Sequence, residues 1–168
     1  SSNTTAAEGT TVYMDSFDSD GFTTINNLNN RTTADGVVSW NWKAGGATVA
    51  ANSIEATNAT RSANVDAGFS IIKFHTSAST ASPPPMNYIE HGLDDTPEMV
   101  IYKSTSSTGD WRVMHVDNGQ KWIELNTTDA SAGPFPETIW DNTSTNIGVR
   151  SNYAISRDAD YEKFRWRW

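Results

Sequence analysis

Nearly a third of this chain is Ser, Thr or Asn: 54 of its 168 residues. These short polar side chains compete for nearby backbone hydrogen bonds outside a helix. They penalise long helices and suit strands joined by many turns. The apolar residues obey the same constraint, falling in short groups, several of which alternate with polar residues. Hydrophobic side chains make up 36% of the chain, enough for one core. Seven Trp exclude a disordered chain. No apolar run reaches the roughly 18–20 residues of a membrane span. Ser1 opens a polar stretch with no visible signal peptide, so the expectation is a chain that was cleaved or never carried one. With no Cys there is neither a disulfide framework nor a thiolate site. The formal net charge of −8 disfavours a phosphate-backbone partner.

Read in order, Val12–Met14 predicts a short strand, followed by a tight turn at Asp20-Gly21. Val38, Trp40 and Trp42 alternate with polar residues and predict a strand with those three side chains in the core. Lys43-Ala44-Gly45-Gly46 breaks it, and 46/47 is the best internal boundary. Strands are then expected at Thr48–Ile54, Ala67–His75, Met86–Glu90, Glu98–Lys103, Trp111–Val116, Lys121–Asn126 and Tyr161–Trp168. Asn118-Gly119 supplies a turn, and Pro134 with Pro136 predicts an irregular stretch. Many short strands at roughly 8–12-residue intervals indicate an all-β antiparallel sandwich, jelly-roll-like, with an N-terminal strand-bearing segment.

An internal echo refines the domain reading. Asn3-Thr4-Thr5-Ala6-Ala7 resembles Asn126-Thr127-Thr128-Asp129-Ala130, and the Gly36–Trp42 segment resembles Asp160–Trp166 at nearly the same offset. On this reading residues 47–168 form one sandwich unit and residues 1–46 are the back half of a preceding unit; the alternative reading is that 1–46 adds strands to one sandwich. Val12, Phe17, Phe22, Ile25, Val38, Trp40 and Trp42 would then need cover from the rest of the chain, from a second copy or from another segment.

Several words in order carry a family resemblance. They are the Ser16–Phe22 segment Ser-Phe-Asp-Ser-Asp-Gly-Phe, Ser39-Trp40-Asn41-Trp42 with Lys43–Gly46, Ala67–Ile72, His91–Ile101, Asp110–His115, Leu125–Ala130 and Trp140–Thr143. Together they resemble a recurrent β-rich module of tailed-phage virion proteins, especially of marine and cyanobacterial phages, found in tail fibres and other appendages, often in tandem. The resemblance spans nearly the whole chain. The Ser77–Pro85 stretch and the charged Glu162–Trp168 segment depart from it. It implies a place on the virion surface, with identical subunits, other virion proteins and a host-surface glycan as partners, rather than an activity.

Asp18, Asp20 and Gly21 partly match a calcium loop begun at Ser16, but Ser16 and Asn27 stand where acidic ligands belong, so the Asp15–Asp18–Asp20 group reads as a turn. His75, His91 and His115 have no ligand-like spacing, and Glu90-His91 with Asp94-Asp95 reads as a turn rather than a metal site. Neither a nucleophile elbow nor a phosphate-cradling loop occurs. The expectation is therefore no catalytic residues, no metal and no cofactor. Trp111 and Trp122 read as core. Arg165, Trp166, Arg167 and Trp168 combine stacking with hydrogen bonding and are the candidate subunit contact. The functional expectation is a non-enzymatic phage structural protein: a tail fibre, another appendage or a capsid-surface decoration with host-adhesive loops. The competing expectation is a secreted or cell-surface carbohydrate-binding module using Trp platforms.

Overall fold

The computed structural model describes residues 14–25, 40–76, 81–151 and 160–166, the last group as backbone. The architecture is all-β and antiparallel, with thirteen strands and one short 3-10 turn, Val116–Asn118, among the described residues. Strands β1 (Met14–Asp18) and β2 (Gly21–Thr24) form a hairpin inside a small compact unit, Gly9–Asn41. Asp18 pairs with Gly21, which leaves Ser19-Asp20 as a two-residue loop. The expected Asp-Gly turn thus falls at this point. The Asp18 carboxylate braces the hairpin by accepting from Ser16 Oγ at 2.8 Å and Thr23 Oγ1 at 2.9 Å.

From Trp42 onward the chain builds a second, larger unit. Its large sheet contains β3 (Val49–Ala50), β5 (Ala56–Asn64), β6 (Phe69–Thr76), β8 (Met99–Ser104), β9 (Arg112–His115), β10 (Ile123–Glu124) and β13 (Asp160–Trp166). The spatial order is β10-β9-β8-β13-β6-β5-β3. The small sheet contains β4 (Ser53–Ile54), β7 (Met86–Glu90), β11 (Trp140–Asn142) and β12 (Asn146–Arg150), in the order β11-β12-β7-β4.

One hydrophobic core joins the two sheets. Ala56, Ala59, Ile72, Phe74, Val100, Tyr102 and Met114 of the large sheet share it with Ile89, Trp140, Ile147 and Val149 of the small one, together with Trp122 and Ile139. The alternation within each strand produces this layer: Ile72 and Phe74 are buried while Lys73 between them is exposed. A fully buried aliphatic or aromatic side chain of this kind stabilises by about 1.5–3 kcal/mol.

Several elements differ from the sequence reading. The expected Thr48–Ile54 strand is two short strands in different sheets, because the chain turns a corner at Ala51-Asn52. The Ala51 N–H donates to Ala59 O at 2.9 Å, and the Glu90 N–H donates to Asn52 O at 2.8 Å, so each side of the corner is satisfied by a different sheet. Strand β5 was not expected, since its sequence ATNATRSAN carries no large apolar side chain. Its core-facing apolar positions are instead small, Ala56 and Ala59. Strands β11 and β12 were also missed. The expected strand through Trp40 and Trp42 is not formed at residues 40–42, and its residues 37–39 lie outside the described residues. Nor are Trp40 and Trp42 core: they are 71% and 47% exposed. Trp42 instead stacks on Phe69, with ring centroids 6.1 Å apart, and covers that side chain from outside the inter-sheet core. Residues 42–46, read as the close of a preceding unit, run beside β5: Ser62 Oγ donates to Gly46 O at 2.9 Å and Asn64 Nδ2 to Lys43 O at 3.1 Å.

Candidate functional site

The large sheet has a second apolar face. Ile123 of β10 is registered with Val113 of β9, Val113 with Ile101 of β8, Ile101 with position 164 of β13, and position 164 with Ile71 of β6. Their chain neighbours Met114, Val100, Tyr102 and Ile72 belong to the inter-sheet core. Alternation therefore puts Ile71, Ile101, Val113 and Ile123 on the opposite side of the sheet. Ile101 and Val113 are buried there, whereas Ile123 is 43% exposed and Leu125, two residues further, 47% exposed. The apolar row runs from a covered centre to an uncovered edge. The next row is ionic in sequence: Glu162 is registered with both Lys73 and Lys103. Lys103 is buried, its Nζ donating to Ser104 O at 2.9 Å. Desolvation lowers its pKa, and the nearby Asp110 charge opposes that shift.

The residues singled out from sequence fall in separate places. Asp18 is engaged by the two hydroxyls of its own hairpin, and Asp15 and Asp20 are exposed beside it. Among the described residues no group of three or more His, Asp or Glu is placed to hold a metal ion. His91 is completely buried. Its Nδ1 accepts the Leu93 N–H at 3.0 Å and its Nε2 lies 3.2 Å from Thr143 O. Those contacts fix the tautomer with the proton on Nε2. The imidazole thus ties the turn after β7 to the turn between β11 and β12. His115 lies elsewhere and caps the 3-10 turn by accepting the Asp117 N–H.

The tryptophans divide by role. Trp122 is buried, stacked on Phe135 at 4.5 Å between ring centroids, with the Arg112 guanidinium 4.7 Å from its own centroid. Trp140 is buried and donates from Nε1 to Gly119 O at 2.8 Å. Trp122 is core, as expected, while Trp111 is only half-buried. Of the candidate subunit contact, Arg165 and Trp166 lie on β13, and Arg165 is paired on both sides, with Ser70 of β6 and Val100 of β8. Arg167 and Trp168 lie outside the described residues.

Charged groups also tie the sheets together. Arg61 of β5 forms an ion pair with Glu90 of β7. Glu90 Oε2 also accepts from Asn52 N at 3.2 Å and Asn52 Nδ2 at 3.0 Å. The bond to Arg61, followed by the backbone bond from Asn52, lowers the Glu90 pKa. Sequence reasoning placed Glu90 in a turn cluster with His91 and missed Arg61, because the pair joins strands of different sheets.

Comparison with curated proteins and with solved structures gives no match at the level of significance required. A family match covers residues 1–167, and its description is "Domain of unknown function (DUF7483)". An all-β sandwich with a second apolar sheet face is thus, by family, a member of DUF7483.

Proposed function

We propose that this chain is a non-catalytic structural module of a tailed-phage particle, a tail fibre, other appendage or capsid-surface decoration, whose working property is to pack against identical subunits and other virion proteins. The observation that carries the reading is the apolar row Ile71–Ile101–Val113–Ile123 on the side of the large sheet away from its core. A lone two-layer sandwich needs one apolar face per sheet, and a sheet apolar on both faces suits a further layer. The exposed Ile123 and Leu125 extend that face to the β10 edge, where a second copy would remove them from water. A closed symmetric assembly covers such a surface most simply.

The test is the mass of the particle in solution. Wild-type protein at micromolar concentration should run as a homo-oligomer in light scattering, and Ile123→Asp with Leu125→Asp should shift it to monomer without changing its circular dichroism. A wild-type chain that stays monomeric, or an oligomer indifferent to both substitutions, removes the reading.

A further inference from the structure

The small sheet presents a different surface from the large one. Asp141 of β11, Gly148 of β12, Tyr88 of β7 and Ile54 of β4 form one cross-strand row spanning all four strands. Ile89, Ile147 and Val149 lie in the core, so this row lies on the outer face. Gly148 makes the arrangement possible. A Cβ at that position would sit 2.7 Å from Tyr88 Cε1 and 2.6 Å from Asp141 O. The Tyr88 ring fills the space a side chain at 148 would take. Its hydroxyl donates to Asp141 Oδ2 at 3.1 Å, which fixes the ring in the plane of the row. Burial, and then the bond to Asp141, raises the Tyr88 pKa, so the phenol stays a donor.

The geometry points to a binding site for a neutral saccharide on this face, with Tyr88 as the stacking platform and Asp141 and Asn146 as the hydroxyl-binding groups. A half-buried aromatic ring braced from beneath offers the flat apolar surface that a sugar's C–H face requires. The exposed Asp141 carboxylate retains acceptor capacity after taking one bond from Tyr88. Asn146 lies two residues before Gly148 on the same side of β12, and its carboxamide supplies both donor and acceptor. Ile54, 64% exposed, extends the platform along the row.

The charges argue for a neutral ligand. The bordering arginines are committed: Arg61 is paired with Glu90, and Arg150 donates to Thr138 O at 2.7 Å and Pro84 O at 2.5 Å. Asp141 would repel a phosphate, sulfate or sialic acid at the platform itself. A single ring backed by glycine also lacks the several aromatic walls that cage an ammonium group. This site lies on a different sheet from the proposed packing face and does not depend on that proposal.

The experiment is a titration of the full chain with cellohexaose, maltohexaose, xylohexaose and a linear mannan oligosaccharide, followed by calorimetry and by the Tyr ring resonances in NMR. At least one neutral oligosaccharide should bind and shift the Tyr88 signals. Tyr88→Ala should weaken that binding by about tenfold or more, Asp141→Ala by about threefold to tenfold, and Tyr88→Phe least of the three. Ile54→Ala, at an exposed position that cannot unfold the sheet, should weaken it about twofold and serves if Tyr88→Ala fails to fold. Absence of any binding to these four sugars overturns the proposal. So does binding that leaves the Tyr88 resonances unmoved or survives Tyr88→Ala.

Discussion

Gly45 offers the sharpest test of how the segment before β3 is held. A Cβ built on Gly45 falls 1.7 Å from Ala63 O and 2.5 Å from its carbonyl carbon. Both atoms are backbone of β5, which cannot rotate away as a side chain could, so Gly45→Ala must lift residues 42–46 from the strand. Lifting costs the Ser62–Gly46 and Asn64–Lys43 hydrogen bonds and the Trp42–Phe69 stack. At about 0.5–1.5 kcal/mol for each hydrogen bond and about 0.5–1.5 for the aromatic pair, the gross loss is about 1.5–4.5 kcal/mol. The lifted segment stays tethered at both ends and regains only part of its backbone freedom, which pulls the net toward the lower half of that range. We expect about 1–3 kcal/mol, the usual range for overpacking, and about 4–8 °C in melting temperature for a loss of about 2 kcal/mol. Urea denaturation of wild type, Gly45→Ala, Trp42→Ala and the double variant supplies the assay. If the segment lifts as a unit, the double variant is scarcely less stable than Gly45→Ala alone, because the stack is already lost. A Gly45→Ala protein within about 0.5 kcal/mol of wild type, or strict additivity with Trp42→Ala, would refute the steric argument.

Other outcomes follow from the ties between sheets. The Glu90 pKa is lowered in the folded protein, so its stabilising effect is complete above the ordinary carboxyl range, about pH 4.3, and is lost as pH falls through the folded value. Glu90→Gln should cost about 1 kcal/mol or less at pH 7 and reduce the acid sensitivity seen in pH-dependent denaturation curves; an unaltered acid limb would count against the ion pair. His91→Leu leaves the Leu93 N–H and Thr143 O without the imidazole and should cost about 2–5 kcal/mol in urea denaturation, whereas a neutral result would mean that water replaces both contacts. Arg112→Ala uncovers one side of Trp122 and should cost about 0.5–2 kcal/mol, accompanied by a change in tryptophan fluorescence; no spectral change would place the guanidinium elsewhere.

The legible parts of the fold were those whose burial is carried by large side chains. Ile72 and Phe74 flank the exposed Lys73 in β6, and Met99–Tyr102 is an unbroken apolar run in β8, so both strands can be read directly from sequence. Strand β5 was hidden because it faces the core with alanines, which are also common in loops. Strand β12 was hidden by brevity, although Ile147-Gly148-Val149 carries the alternation once Gly148 is seen as the seat for Tyr88. A turn at this point was legible from the Asp20-Gly21 pair, one residue beyond the Ser19-Asp20 loop that forms. The surfaces were not. The apolar row depends on registers among β6, β8, β9, β10 and β13, which are set by pairings between distant segments. The Tyr88–Asp141 pair has the same origin, since its members are brought together by β12 lying between β7 and β11.

The position of β13 between β6 and β8 has a bearing on biosynthesis. A nascent polypeptide that has not yet exposed residues 160–166 outside the ribosome holds β5-β6 and β8-β9 as two ribbons, each with an unsatisfied inner margin. Either margin can pair wrongly with the strand edge of a neighbouring nascent chain. The late strand therefore acts as a closing key: products interrupted before residue 160 should be recruited into aggregates, while chains that extend past residue 166 seal both ribbons in a single step.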